Sequence, residues 1–243
     1  MENIQNIVIL TGAGISAESG ISTFRDANGL WENHSIEEVA TPEGFNSNPP
    51  LVYEFYNQRR AQLKNREIKP NLAHLALARL EKEFKGSVLL VTQNVDDLHQ
   101  RALSQNLIQM HGQLNKMRCQ RTHLIYDSPL ILDSSLICEC CEEKGNLRPH
   151  IVWFGEMPLY MDEIQDALLR ADLFISIGTS SLVYPAANFY EIAKHARAIT
   201  VELNLEKTVA TDGYDYSLQG KATELVPQLV DDLISGSFSP KVP

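Results

Sequence analysis

The sequence contains neither a long apolar segment nor a strongly basic run. No apolar stretch approaches the roughly 20 residues that span a bilayer, and the first one, Ile7–Leu10, is too short for the apolar region of a signal peptide. Lys and Arg number 21 against 31 Asp and Glu, for a net charge of −10. Because proteins that bind nucleic-acid phosphates usually carry clusters of Lys and Arg, nucleic acid is not expected as the main partner. We expect a soluble, cytoplasmic protein without membrane association, whose acidic surface attracts lysine-rich protein segments.

Cysteine is scarce and unevenly distributed. The chain has four cysteines, and three of them, Cys138, Cys140 and Cys141, lie within four positions, with Cys119 upstream. Such crowding favours metal binding over a disulfide framework. The sequence therefore predicts a metal site in this part of the chain.

Short apolar runs alternate with helical patterns along most of the chain. The runs are rich in Val, Ile and Leu without clean alternation, which is typical of parallel strands covered by helices on both faces. Strands alternating with helices predict an α/β fold with a Rossmann-like, doubly wound parallel sheet. The predicted strands are Ile7–Leu10, Val88–Val91, Leu173–Ile177 and Ile199–Leu203, and the predicted helices Leu72–Phe84, Asp162–Arg170, Pro185–His195 and Thr223–Ile234.

Small or polar residues follow each predicted strand. Any one of these segments is explained by a plain turn, but ligands of open parallel sheets bind beyond the carboxyl ends of the strands. Four such ends on one edge favour a nucleotide site. The segments begin at Thr11, Thr92, Gly178 and Asn204.

Two stretches do not fit the alternating pattern. Residues 33–70 are rich in proline around one helical segment, Leu51–Leu63, and residues 115–154 hold all four cysteines. Both are interpreted as insertions, one helical and one a small metal-binding module. The Rossmann-like domain is then assembled from residues 1–32, 71–114 and 155–243.

The first strand runs into a glycine-rich loop. Gly12-Ala13-Gly14-Ile15-Ser16-Ala17 fits the dinucleotide-binding form, in which glycines allow a tight turn and a helix N-terminus faces the pyrophosphate. Alone the motif could be a structural turn or indicate a hydride-transferring dehydrogenase. However, the acidic residue that a dehydrogenase carries about 20 residues later, at the end of a second strand, is missing.

Several motifs together resemble the sirtuin family, and within it the bacterial CobB type of the subclass related to mitochondrial desuccinylases. They cover essentially the whole chain in the family's order. They are the run from Gly12 to Ile21, Thr23-Phe24-Arg25, Gly29-Leu30-Trp31, Thr92-Gln93-Asn94-Val95-Asp96, His111-Gly112, Gly178-Thr179-Ser180, Val183-Tyr184-Pro185-Ala186 and Asn204.

This resemblance implies a NAD-dependent protein-lysine deacylase. Acyl-lysine and NAD would give lysine, nicotinamide and O-acyl-ADP-ribose, with His111 as the base that activates a ribose hydroxyl. Histidine suits this role because its unperturbed pKa lies near neutral pH. Asn94 and Asp96 complete the implied catalytic set; from the residues alone they also suit a capped turn before a helix.

The resemblance also implies the NAD contacts. Phe24 would shield the reactive carbon from water, and residues near Asn204 would contact the adenosine side. The full set is Gly12, Ala13, Gly14, Ala17, Glu18, Thr23, Phe24, Arg25, Trp31, Gln93, Asn94, Asp96, Gly178, Thr179, Ser180, Asn204, Glu206 and Ala222.

Two segments are implied substrate contacts. By resemblance, Val152, Phe154, Gly155 and Glu156 pair with the substrate backbone as an added strand, a sequence-tolerant mode of binding to acylated proteins. Tyr56 and Arg59 are spaced i, i+3 on one helix face. Alone this pair is an ordinary surface pattern, but in the subclass it recognises acyl chains that end in a carboxylate. We therefore expect succinyl- and malonyl-lysine as substrates beside acetyl-lysine.

Family members hold a structural zinc with two C-x-x-C pairs. Here Cys138 and Cys141 form one pair and Cys119 begins the other, but Thr122 stands where its partner is expected. The implied ligands are thus Cys119, Cys138 and Cys141. Cys140 or His123 could complete the set, or the site could be weakened or lost.

Other activities share the same NAD motifs. Mono-ADP-ribosyl transfer would use the same pocket, and a non-catalytic NAD-sensing module would retain binding without turnover. The presence of His111, Asn94 and Asp96 argues against the sensor.

Overall fold

A computed structural model of the chain describes residues 4–22, the backbone of residues 30–31, and residues 34–239. In chain order the strands are β1 (Asn6–Thr11), β2 (Leu30–Trp31), β3 (His34–Ser35), β4 (Ser87–Thr92), β5 (Leu107–Gln109), β6 (Gly112–Cys119), β7 (Ile125–Asp127), β8 (Leu147–Ile151), β9 (Leu173–Ile177), β10 (Ile199–Asn204) and β11 (Tyr216–Gln219).

The helices follow the same order. They are α1 (Gly14–Ala17), α2 (Ile36–Val39), α3 (Pro42–Ser47), α4 (Pro49–Leu63), α5 (Leu72–Glu83), α6 (Leu98–Arg101), α7 (Met161–Leu169), α8 (Phe189–His195) and α9 (Ala222–Ser235), with short 3₁₀ turns at Ala186–Asn188 and Thr211–Gly213. Among the described helices, none has both the length and the apolar character needed to cross a membrane.

A six-stranded parallel sheet forms the centre of the molecule, in the order β11-β10-β9-β1-β4-β5. Strand β1 shows why both faces are covered: Ile7 and Ile9 pack on one face beneath α5 and α9, while Val8 and Leu10 pack on the other beneath α7 and α8. Alternate side chains of a strand point to opposite faces. The predicted doubly wound α/β sheet is confirmed.

The four predicted strands are present, each within one residue of its expected ends. The edge strands β5 and β11 are not among the predictions. Strand β5 has three residues, and two of the four residues of β11 are polar. Because an edge strand has a neighbour on one side only, it needs no continuous apolar run, so neither strand has the signal of a buried one.

The helical predictions are right in kind and shifted at the ends. The sequence predicts one helix over Pro185–His195. In the structure a 3₁₀ turn at Ala186–Asn188 comes first, and α8 starts at Phe189. Helix α4 begins two residues before the expected Leu51, because Asn48 accepts a hydrogen bond from the Leu51 N–H at 3.3 Å and prolines suit the first helical turn.

A second core lies outside the parallel sheet. The antiparallel strands β7-β6-β8 pack with α2, α3 and α4 around Phe45, Tyr53, Tyr56 and Trp153. The buried Arg60 of α4 donates hydrogen bonds to the carbonyl oxygens of Leu114 and Leu130, at 3.2 and 3.3 Å. These segments are far apart in sequence, so their common core is a tertiary feature.

Two buried histidines link the helices to the sheet. His74 of α5 and His99 of α6 have ring centroids 4.8 Å apart, and His99 Nε2 lies 3.0 Å from Thr11 Oγ1 at the end of β1. Burial lowers the pKa of His74 to about 4 and lowers that of His99 well below its ordinary value. Both rings are therefore neutral at pH 7 in the folded protein.

The buried histidines should make the fold sensitive to mild acid. Below pH 6.5 the unfolded chain binds protons at His74 and His99 that the folded chain does not, so stability is lost as the pH falls. With one pKa unit equal to about 1.4 kcal/mol, His74 alone should lower the free energy of unfolding by about 2 kcal/mol at pH 5. Urea unfolding at pH 7.5 and pH 5.0 measures this. A His74→Leu variant should show a smaller pH effect, and an equal effect would contradict the assignment.

Candidate active site

Two glycine-rich loops meet where β1 and β9 end. The Gly14 N–H donates to the Gly178 carbonyl oxygen at 2.9 Å, and the Gly12 N–H donates to that of Ile177 at 3.0 Å. A Cβ on Gly14 would lie 2.7 Å from Gly178 Cα, and Gly178 itself has a φ of +61°. Only glycines allow this approach, so the predicted cofactor residues Gly12, Ala13, Gly14 and Gly178 lie together at one edge of the sheet.

The loop after β4 joins the first glycine loop through buried polar side chains. The Asn94 amide donates to the Gly12 carbonyl oxygen at 3.1 Å and to Ser16 Oγ at 3.2 Å. Ser16 Oγ in turn donates to Asp96 Oδ2 at 3.0 Å, and Asp96 Oδ1 accepts the Leu98 N–H at 3.0 Å. Asp96 therefore closes the turn that leads into α6, while the N-cap residue Asp97 makes no side-chain cap hydrogen bond.

Burial raises the pKa of Asp96, opposed by the hydrogen bonds from Leu98 and Ser16. Ser16 was not among the predicted site residues, although it lies in the glycine motif. Its signal in the sequence is only its place in the first turn after the loop. The contact to Asp96, 80 positions away, depends on β1 and β4 being neighbours.

His111 lies between β5 and β6, beside the same loop. Its Nδ1 is 3.1 Å from the Gln93 carbonyl oxygen. Because a carbonyl only accepts hydrogen bonds, Nδ1 carries the proton and Nε2 carries the lone pair. Burial lowers the pKa of His111, and the bond to Gln93 opposes this shift. The neutral ring is thus prepared to accept a proton at Nε2.

The adenosine-side residues predicted from the family motif are spread more widely. The Asn204 amide donates to the Thr179 carbonyl oxygen at 2.7 Å, which joins the ends of β9 and β10. Ser180 follows Thr179 on the same loop, while Glu206 is exposed beyond β10. Ala17 ends α1 and Ala222 begins α9.

Glu18 bridges two elements in the structure. Its carboxylate accepts hydrogen bonds from the Thr223 N–H at 3.1 Å and the Thr223 hydroxyl at 2.7 Å, and so holds the start of α9 beside the glycine loop. Its contact with NAD remains a prediction. Thr23, Phe24 and Arg25 lie outside the described residues, as does the side chain of Trp31.

The predicted substrate segment begins where β8 ends and is attached to the candidate base. The Val152 N–H donates to the His111 carbonyl oxygen at 2.9 Å, and the Phe154 N–H to that of Ala40 at 2.9 Å. Phe154 and Gly155 are exposed. A chain bound along this segment would therefore lie next to His111.

Glu156 is held by two arginines on the neighbouring strands β6 and β8. Its carboxylate accepts hydrogen bonds from Arg148 at 2.7 Å and from Arg118 at 3.0 Å, and from the Trp153 N–H at 2.9 Å. These donors hold the pKa of Glu156 below its ordinary value although burial opposes them. Glu156 thus shapes the segment, and a direct contact with substrate remains a prediction.

Tyr56 and Arg59 lie on α4, one turn apart. Tyr56 belongs to the second core, which also contains Trp153. Tyr56 is fully buried, and its hydroxyl oxygen accepts the Trp153 indole N–H at 2.9 Å. The Arg59 guanidinium stacks on Phe55, 3.8 Å from the ring centroid, and donates to the Phe55 carbonyl oxygen at 2.9 Å.

The four cysteines converge at the end of the antiparallel sheet. Their sulfur atoms all lie within 4.8 Å of one another, with 3.9 Å between Cys119 and Cys141 and 3.3 Å between Cys138 and Cys140. Four thiolates at such distances suit tetrahedral zinc, whose bonds to sulfur are about 2.3 Å long. Cys140, and not His123, belongs to this cluster, and its sulfur lies 3.0 Å from Thr122 Oγ1. A structural zinc would be held by these four sulfurs.

Loss of Cys140 should weaken zinc binding, because zinc sites of this kind need four ligands. We expect purified Cys140→Ser protein to hold much less than one zinc per chain and to unfold at a lower temperature. A Thr122→Cys substitution in that background should restore both, since residue 122 adjoins the vacated place. Elemental analysis and the thiolate absorption of the Co²⁺-loaded protein measure this; full zinc content in Cys140→Ser would contradict it.

Comparison with known proteins agrees with this geometry. The Sir2 family model matches residues 12–185. The chain is 54% identical to the NAD-dependent protein deacylase of Vibrio parahaemolyticus over 95% of this chain and 96% of that one. It is 59% identical to that of Pasteurella multocida, over 91% and 94%.

Solved structures of Sir2 homologues share the fold. One in complex with NAD superposes with a TM-score of 0.86 at 40% identity, covering 96% of this chain and 91% of that one. Another, bound to ADP-ribose, has a TM-score of 0.87 at 39% identity, covering 99% and 96%. A family match over more than half the chain, with relatives this similar over nearly all of it, leaves one conclusion: the chain belongs to the Sir2 family.

Proposed function

We propose that this chain is a NAD-dependent protein-lysine deacylase that removes acyl groups ending in a carboxylate, such as succinyl and malonyl, as well as acetyl. The observation that carries the proposal is the placement of His111, which offers an unprotonated Nε2 at the edge of the sheet where the glycine loops meet. The names of its relatives support the deacylase activity. The side chains on α4 support the acyl preference.

His111 acts as the base in this proposal. NAD, when bound, would supply an electrophilic ribose carbon for the acyl oxygen, with nicotinamide as the leaving group. His111 then accepts the proton of a ribose hydroxyl at Nε2, while the Gln93 carbonyl keeps the ring oriented through Nδ1. A histidine that is neutral at operating pH and fixed by a second hydrogen bond suits general base catalysis.

Asn94, Ser16 and Asp96 organise the cofactor side of the site. Their hydrogen bonds connect the loop after β4 to the glycine loop and hold the two loops against each other. We assign Asn94 and Asp96 to the NAD ribose and nicotinamide, and Ser16 to holding them in position. The raised pKa of Asp96 reflects a carboxyl group removed from water, where its hydrogen bonds are stronger.

Tyr56 and Arg59 provide the acyl specificity. Burial raises the pKa of Tyr56 above its ordinary value, although the nearby charges of Arg148 and Arg59 lower it, so the phenol keeps its proton and donates hydrogen bonds. A guanidinium one helical turn away adds a fork that matches a carboxylate. A neutral donor and a fixed positive charge on one helix face favour an anionic acyl end over a methyl group.

Removing the base should abolish turnover. We expect His111→Ala to lower kcat/KM for acetyl- and succinyl-lysine peptides alike by at least about 10²-fold, the lower range for a positioned base. Mass spectrometry of the peptide and release of nicotinamide measure this. His195→Ala, at the exposed end of α8, is the matched control. Retention of full activity in His111→Ala would refute the assignment.

Removing the guanidinium should act selectively. We expect Arg59→Met to cost about 2–5 kcal/mol in kcat/KM for succinyl-lysine, the range for losing one partner of an enclosed charge pair, and far less for acetyl-lysine. Arg59→Lys should recover part of the loss, because it keeps the charge without the fork. Arg79→Met, on the surface of α5, is the control. An equal loss for both acyl groups would argue against acyl recognition by Arg59.

A further inference from the structure

Trp153 and Tyr56 share a hydrogen bond inside the second core. The Trp153 indole N–H donates to the Tyr56 hydroxyl oxygen at 2.9 Å, and the two side chains are 2% and 0% exposed. An indole nitrogen only donates hydrogen bonds. The Tyr56 oxygen therefore accepts on the side of Trp153, and its own proton points away from the indole.

The indole is itself held in place. The Arg148 guanidinium lies over its ring, 3.3 Å from the centroid, and Phe45 packs against it with ring centroids 5.2 Å apart. The backbone N–H of Trp153 donates to Glu156, which also accepts from Arg148. These contacts fix the direction in which the indole N–H points.

A phenol hydroxyl can rotate about its C–O bond, and its orientation decides what it offers a ligand. Turned with its proton toward a carboxylate, it contributes a charge-assisted hydrogen bond. Turned the other way, it presents lone pairs to a negative charge and repels it. Because the indole N–H occupies one acceptor direction of the Tyr56 oxygen, the first orientation is favoured before any acyl group arrives.

We propose that Trp153 is a specificity-determining positioning residue, which orients the Tyr56 hydroxyl as a donor toward the carboxylate of an acidic acyl chain. This inference rests on the proposed role of Tyr56 and Arg59. It assigns Trp153 no contact with the acyl group: the indole acts through Tyr56. The adjoining residues Val152 and Phe154 belong to the predicted substrate segment, so one short stretch would serve both peptide binding and acyl selection.

The test is a double-mutant cycle with two substrates. Trp153→Phe, Tyr56→Phe and the double variant are assayed on one peptide carrying succinyl-lysine or butyryl-lysine, which has four carbons and no carboxylate. We expect Trp153→Phe to raise KM for the succinyl peptide about tenfold, the scale of one hydrogen bond to a charged group, with a much smaller change in kcat. The butyryl peptide should be affected far less, and the double variant should resemble Tyr56→Phe alone.

A second variant separates the hydrogen bond from packing. Replacement of Trp153 by 3-benzothienylalanine keeps a bicyclic ring of similar shape but has sulfur in place of the N–H group. It should reproduce the loss seen for the succinyl peptide and maintain the thermal stability of the protein. This variant keeps the inference testable if Trp153→Phe does not fold.

Three results would overturn the inference. They are an unchanged KM for the succinyl peptide in both Trp153 variants, an equal loss for succinyl and butyryl peptides, and a double variant whose loss is the product of the single losses. The last would mean that Trp153 acts independently of Tyr56. If the unaltered protein removes butyryl and acetyl groups from lysine with NAD but leaves succinyl-lysine intact, the proposed acyl preference fails as well, so the two failures are distinguishable.

Discussion

The site depends on the close contact between two backbone loops at the carboxyl edge of the sheet. Gly14 and Gly178 approach so closely that a Cβ on either would overlap the backbone of the other. This contact requires β1 and β9 to be parallel neighbours, with Thr11 level with Ile177. The same strand β1 has β4 on its other side, which brings Asn94 and Asp96 to the glycine loop. One strand thus positions three groups of the predicted cofactor residues.

The proposed catalytic base, His111, lies where the parallel sheet meets the second core. His111 belongs to the chain between β5 and β6, and therefore connects the two sheets. Its ring is hydrogen-bonded to the Gln93 carbonyl oxygen. Its own carbonyl oxygen accepts the N–H of Val152, where the predicted substrate segment begins. The proposed base, the glycine loop and the predicted peptide-binding segment are in this way related by short backbone links, so the proposed reaction would bring its reactants together with little rearrangement.

Sequence reasoning was strongest where local chemistry sets the structure. Continuous apolar runs located four of the strands, and the glycine pattern located the phosphate loop, because each signal lies within a few residues. It was weaker at β5 and β11, where short edge strands have no such run, and at Ser16, whose role depends on Asp96 on another strand. For the fourth zinc ligand the sequence leaves open Cys140, His123 or a weakened or lost site, because the fold of the turn, and not the spacing, brings the Cys140 sulfur to within 3.3 Å of the Cys138 sulfur.

The sequence by itself determined the doubly wound fold, the family and the residue types of the site, because periodicity and motifs are local properties of the chain. The tertiary structure decided which groups are out of water and which atoms face each other. It set the tautomer of His111 through the Gln93 carbonyl, the neutrality of His74 and the raised pKa of Asp96 through burial, and the orientation of Tyr56 through Trp153, 97 positions away. Desolvation and long-range hydrogen bonds depend on the packing of distant segments, which no local pattern records.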